Sequence, residues 1–250
     1  MIITTSWDDG HPLDLKLADL LSKYGIKGTF YIPIRNPENI VMNDTALTNI
    51  SSEFEVGGHT VNHSILTKLN IQDASYEITE CKAILENKLN KKIHAFCFPS
   101  GKFSKRDIQL VHNSGFLFCR STAYFRSQLD INQSLMHTAV QAYNHKSISL
   151  FKNCIKRINL APIIKNSFFI PYNSNFRKLA KRIIIQTSKS KGIFHIWGHS
   201  WEIEEYDLWN ELEETFKILK GETDALYLSN TQLWQNKIQD LNLNQETQGY

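Results

Sequence analysis

Ser6-Trp7-Asp8-Asp9-Gly10-His11 ends the first apolar run of this 250-residue chain, and the segments on either side of it decide the architecture. Ile2 to Trp7 is a short β-prone run that delivers Asp8 and Asp9. From Pro12 to Tyr24 the apolar residues Leu13, Leu17, Leu20 and Leu21 fall at helical spacing, and Gly25 is placed to end that helix. Lys27 to Pro33 then reads as a second strand. Strand, helix and strand within about 35 residues form a βαβ unit and imply a parallel pair. Successive residues on a regular strand point to opposite faces, so Asp8 and Asp9 share a site only where the strand runs out into a loop. Gly10 supplies that ending.

A second motif, Gly57-Gly58-His59-Thr60-Val61-Asn62-His63, closes a later apolar segment. By itself Asp-Asp-Gly is turn chemistry, and a lone His-x-x-x-His is a helix face. Together, each at a strand end, they are the parts of a mononuclear metal hydrolase. One carboxylate joins two imidazoles on a divalent ion, and the other stays free to take a proton from water. Four-residue spacing puts both rings on one side if this stretch forms a helical turn.

The remaining chain repeats the alternation. Residues 34 to 50 are loop-rich with a short helix, and Phe54 to Gly58 is a third strand. Asp73 to Leu89 is helical, Ile93 to Phe98 a strand, Asp107 to Ser114 a helix stopped by Gly115, and Phe116 to Cys119 a strand ending on Arg120. A strand is expected around Met136 to Gln141, with helices at Ser147 to Ile158 and Phe176 to Lys189. Ile193 to Gly198 is a strand with His199 at its end, Tyr206 to Leu219 a helix, and Ala225 to Leu228 a short strand. Pro162 to Pro171 reads as a loop with an apolar patch. Such units, with candidate ligands at successive strand ends, predict an α/β fold: a distorted (β/α) barrel whose C-terminal rim carries the chemistry. One domain over residues 1–235 is expected, with a basic segment at 121–190 and a loosely held polar tail at 236–250.

Composition is that of an ordinary soluble domain, and no apolar run is long enough to span a bilayer. Cys81, Cys97, Cys119 and Cys154 are scattered without C-x-x-C spacing. They read as buried thiols in a reducing compartment, so a cytoplasmic address is expected. The net charge of +3 conceals segregation, because residues 131–201 hold no Asp or Glu but carry lysines and arginines from Lys146 to Lys191. Acidic residues from Glu202 to Glu214 follow immediately. The two blocks either pair across the fold or leave a field for an anionic substrate or membrane surface.

In their order these motifs resemble the polysaccharide deacetylases, the NodB-homology group of carbohydrate esterase family four. Ser6-Trp7-Asp8-Asp9-Gly10 is similar to that family's T-F-D-D-G, and His59-Thr60-Val61-Asn62-His63 to its H-[ST]-x-x-H. The resemblance implies a barrel of about seven strands. It makes Asp8 the general base and Asp9, His59 and His63 the ligands of a divalent metal, zinc first, with cobalt, nickel or manganese as substitutes. Trp197-Gly198-His199 matches a late strand-end motif, making His199 the general acid and Trp197 a wall for the acetyl methyl. His195, on the same strand, is the competing acid, and His11 is a rim candidate. The third motif, R-x-P-[YFW]-G, meets Cys97-Phe98-Pro99-Ser100-Gly101. Proline and glycine align, with a backbone N–H near Ser100 expected to face the oxyanion. The arginine that tethers the base is replaced by Cys97, and Arg120 at the next strand end is expected to supply it. A fourth motif has no clean counterpart.

By the same resemblance the chain is a metal-dependent hydrolase of linear amides, deacetylating an N-acetylated sugar. A cytoplasmic address and the basic span imply a nucleotide-linked or lipid-phosphate-linked precursor of a surface polysaccharide. Nucleic acid is not an expected partner, while peripheral membrane contact is. Two other readings stay open: a deformylase or cyclic-amide hydrolase on the same fold, and a non-catalytic carbohydrate-binding relative suggested by the missing arginine.

Overall fold

A computed structural model describes residues 1–123, 129–144 and 175–248. The expected helix at 147–158, the loop at 162–171 and Cys154 lie outside the described residues. Strands β1 (Ile2–Asp8), β2 (Gly28–Ile32), β3 (Glu55–Gly58), β4 (Ala95–Cys97), β5 (Phe118–Arg120), β6 (Leu135–Met136), β7 (Val140–Gln141) and β8 (Ile193–Gly198) lie in one parallel sheet, in the order β6-β5-β4-β3-β2-β1-β8-β7. Short β9 (Leu226–Tyr227) pairs with β1 off this path. The main helices are α1 (Asp14–Tyr24), α2 (Asp44–Glu53), α3 (Ile71–Leu89), α4 (Lys105–Asn113), α5 (Phe176–Ser190), α6 (Ser200–Glu205), α7 (Trp209–Lys220) and α8 (Asn230–Gln248).

Strands β6 and β7 are the two ends of one run. Cys119 pairs with Leu135 on one side and Val140 with Ile196 on the other, so residues 135–141 bridge β5 and β8 and close the distorted barrel. Counted that way there are seven staves, in agreement with the expected architecture.

Strand alternation builds two cores. On β1, Ile3 and Trp7 face outward into the helix layer with Phe30, Ile32, Phe96, Phe194 and Ile196. The opposite face carries Ile2 inward, with Tyr31, Ala95, Cys97, Phe118, Met136 and Ile193 from the other staves. Leu233 and Trp234 of α8 plug this inner core from below, with Trp234 stacked on Phe118 at 5.3 Å. The segment from Asn236, expected to be a loose tail, therefore begins inside a helix that runs to Gln248.

Most other expectations hold within a residue or two. Gly25 caps α1 at φ 63° and Gly115 turns at φ 80°, both left-handed conformations that glycine adopts without strain. Helix α6 was not foreseen, being one short turn between two longer elements. None of the described helices is long and apolar enough to cross a membrane.

Candidate metal centre

Climbing the inner face of β1, the side chains become Thr4, Ser6 and Asp8, so the polar end of the barrel interior is the C-terminal rim. Asp9 leaves the strand at φ 79° and Gly10 follows at φ 62°. That left-handed step is what places two consecutive carboxylates on one side. It is strained for an aspartate, as happens where geometry serves a site.

His59 follows β3, and His63 comes from the loop after it rather than from a helical turn. Thr60 at φ 67° and His63 at φ 54° exclude a helix there. Glu77 of α3 holds the loop in shape: its carboxylate accepts the Asn62 backbone N–H at 2.8 Å and the Asn62 side-chain amide at 2.7 Å. The Val61 N–H donates to the Glu77 carbonyl at 3.1 Å.

Asp9 Oδ1 is approached by His59 Nε2 at 3.6 Å and His63 Nε2 at 3.1 Å. It is buried and has no hydrogen-bond partner, so the three donors converge without satisfying one another, as ligands of an ion do. His59 Nδ1–H donates to the Cys97 carbonyl at 2.8 Å, which turns the Nε2 lone pair to Asp9. Trp201 Nε1–H donates to Asp9 Oδ2 at 2.9 Å. Burial opposes ionisation of Asp9, but the facing His59 and His63 rings, with His199 behind them, outweigh it and hold the carboxyl well below the usual range. One carboxylate and two imidazoles with oriented outer partners fit a divalent ion of the zinc type. Asp8, His59 and Cys97 also bring donor atoms together. The Arg120 guanidinium already sits on Asp8, and burial keeps the Cys97 thiol protonated, so that trio is the poorer ion site.

Arg120 is fully buried and reaches across the barrel to donate from Nη2 to Asp8 Oδ1. Its guanidinium lies 5.0 Å from the Tyr31 ring and 5.0 Å from the Trp197 ring. The cation missing at Cys97 thus arrives from the neighbouring stave, and Cys97 instead places its Sγ 3.7 Å from Asp8 Oδ2.

His199 brings Nε2 to 3.9 Å from Asp9 Oδ2, and its Nδ1 meets Glu202 Oε2 at 2.5 Å. Gln141 donates to the same Glu202 oxygen at 3.2 Å. Burial would lower the imidazole pKa, but Glu202 and then Asp9 and Asp8 raise it to about 9. His195 is instead a core group: Nδ1–H donates to the His137 carbonyl at 3.0 Å, and Nε2 accepts from Ser6 Oγ at 2.8 Å. His11 Nδ1 accepts the Leu13 N–H at 3.2 Å, an anchor for the start of α1.

Ser100 and Gly101 form a tight left-handed turn after β4. Gly101 N–H is engaged by the Phe98 carbonyl at 2.9 Å and the Ser100 side chain is exposed, so Gly101 offers no donor to an oxyanion. Both residues are left-handed, and a Cβ on Gly101 would lie 2.0 Å from Thr122 Oγ1.

Four contributors went unforeseen: Tyr31, Glu77, Trp201 and Glu202. Trp201 and Glu202 sit just beyond His199, and that adjacency was their available signal. Tyr31 is opposite Asp8 in the β1–β2 register, which only the paired strands reveal.

Residues 2–119 match the family model for polysaccharide deacetylase. Among solved structures, a peptidoglycan deacetylase from Bacillus subtilis aligns at 16% identity and TM-score 0.59, covering 100% of this chain and 97% of its own. A Mycobacterium smegmatis protein assigned to the polysaccharide deacetylases aligns at 13% identity and TM-score 0.69, covering 95% of this chain and 91% of its own. A Streptococcus pyogenes deacetylase solved with acetate, at 18% identity and TM-score 0.49, covers 54% of this chain and 62% of its own. At their identities the likeness to the Bacillus subtilis and Mycobacterium smegmatis structures is one of fold. No curated protein sequence matches the chain.

Proposed function

Starting from a chain whose residues 2–119 carry the polysaccharide deacetylase family, we propose that it is a metal-dependent deacetylase of an N-acetylated sugar. The observation that carries this reading is Asp9 Oδ1, buried, unbonded and faced by both His59 Nε2 and His63 Nε2 beside an Asp8 held by Arg120. When bound there, a zinc ion supplies Lewis-acid polarisation of the acetamide carbonyl. Asp8, oriented by Arg120, takes the proton of the attacking water. His199, kept charged at neutral pH by Glu202, gives a proton to the departing nitrogen. Trp197 borders the same space and lines it for the acetyl methyl.

For the substrate we propose a nucleotide-linked or lipid-phosphate-linked sugar in surface polysaccharide assembly, handled in the cytoplasm. Support comes from the three described cysteines, all free and buried, and from the acid-free basic span.

Metal analysis of wild type against His59→Ala/His63→Ala, combined with acetate release from N-acetyl amino sugars in free and nucleotide-linked form, tests the reading. Near one equivalent of metal, lost in the variant, with zinc-dependent acetate release is the expected result. Failure to retain zinc after loading would sink it. Release of formate or ring opening, without acetate, would move the reaction to another amide.

A further inference from the structure

Among the described residues, the two charge blocks do not pair across the fold. Among the described residues, Glu204 bonds Lys16 at 3.0 Å, Glu213 bonds Lys23 at 2.7 Å and Glu214 bonds Lys217 at 2.7 Å, so these carboxylates take their cations from α1 and α7, not from α5. Arg177, Lys178, Lys181, Arg182 and Lys189 of α5, with Lys191 just beyond it, form no ion pair with any described residue. Nor does the sequence around them provide one, since residues 131–201 contain no Asp or Glu.

Helix stability does not explain this arrangement. Arg177 and Lys178 occupy the first turn of α5, which has no acidic residue, where the backbone dipole disfavours cations. Phe176, Leu179, Ala180, Ile183, Ile184 and Thr187 bury the inner side of the helix. The outer side presents Lys178, Arg182, Ile185 and Lys189 at helical spacing, with Lys181 alongside and Ile185 47% exposed among them. An isoleucine left in water inside a row of unpaired cations matches a surface that is anionic at its face and apolar just beneath.

We propose that the outward face of α5 docks on an anionic phospholipid bilayer. Over 15 residues the helix offers a row about 22 Å long. Its apolar side is occupied by the barrel, so attachment is electrostatic with Ile185 as a shallow contact, and it weakens with salt. The helix also starts beside the candidate metal centre. Phe176 N–H donates to Asn144 Oδ1 at 2.8 Å, and Asn144 lies just past β7, whose Gln141 bonds the Glu202 that holds His199. Docking along α5 therefore brings the rim to the membrane surface, whichever amide the site hydrolyses.

The test is co-sedimentation of the full chain with phosphatidylglycerol/phosphatidylcholine vesicles at low salt, against phosphatidylcholine alone. Binding to the anionic vesicles only is expected, falling at least about ten-fold in K178E/K181E/R182E. The charge-matched control K27E/K68E/K105E keeps most of it, and circular dichroism verifies both folds. No binding to anionic vesicles would overturn the proposal. Equal losses in the two variants would do so too, since net charge alone would then be responsible. Release from vesicles by millimolar inorganic phosphate at constant ionic strength would also overturn it, by revealing a phosphate pocket in place of a docking face.

Discussion

Arg120 sits at the end of a strand where a basic residue would ordinarily reach water, yet it is buried between two aromatic rings with its guanidinium on Asp8. Removing one partner of a buried pair leaves the other uncompensated. Arg120→Ala is expected to lower stability by about 3–5 kcal/mol in urea unfolding. Arg120→Lys should recover much of that while reducing kcat about 100-fold, because an ammonium cannot reproduce the planar geometry that aims the base. Full turnover in the lysine variant would show that Asp8 needs no tether. His195 gives a pH prediction. Burial, then the Arg120 charge, lower its pKa to about 3, so the folded protein keeps it neutral. The unfolded chain protonates it below its ordinary value of about 6.5, so this stabilisation is full above that pH and is lost as pH falls towards 3, up to ~5 kcal/mol in all. The slope of unfolding free energy against pH between 6.5 and 4 should flatten in His195→Gln, and an unchanged slope would contradict a neutral buried imidazole. The convergence of Asp9, His59, His63 and His199 was legible from sequence because residue type, spacing and position at a strand end mark them as one cluster. Tyr31 and Glu77 were not, because a tyrosine in a strand and a glutamate in a helix acquire meaning only from what lies opposite them.

Elements carry the next level of control, and the loop from His59 to His63 shows how. Two left-handed residues make it intrinsically unfavourable, and the opposing force is a helix that begins eight residues later. Both oxygens of Glu77 bind Asn62, the residue before the second imidazole. Outer partners of this kind typically contribute 10- to 100-fold to metal affinity. Glu77→Ala should therefore weaken zinc binding by about that factor in a chelator competition titration, with His59 and His63 both still present. An affinity equal to wild type would mean the loop holds its shape unaided. This is also why a helical turn was the wrong expectation for His-x-x-x-His. Spacing alone fits a helix, but a strand end followed by a clamp on the intervening asparagine produces the same convergence through a loop.

Across the whole molecule, the barrel interior is a graded column, apolar at the end plugged by α8 and ionic at the rim. Strand alternation made the staves legible in the sequence. Closure was not, because residues 135–141 touch each neighbour through two-residue pairings that leave no periodic trace. The role of α8 was hidden for a related reason: Leu233 and Trp234, which plug the core, are followed by residues that are mostly polar in sequence. Asn230 ties that helix to the column. Its side chain donates to Thr4 Oγ1 at 2.8 Å and accepts from Tyr31 OH at 2.8 Å, while its N–H donates to Thr29 Oγ1 at 2.9 Å. Tyr31 in turn stacks on Arg120, so one fully buried amide connects the C-terminal helix to the residue that aims Asp8. Replacing Asn230 by alanine strands a buried hydroxyl on each of two strands, which costs about 2–4 kcal/mol of unfolding free energy. The effect on function should be selective. Turnover should fall as Tyr31 loosens, while zinc affinity holds, because Asp9, His59 and His63 hang from β1, β3 and the α3 clamp and do not depend on α8. A parallel loss of zinc affinity would mean that the two halves of the site are not supported separately.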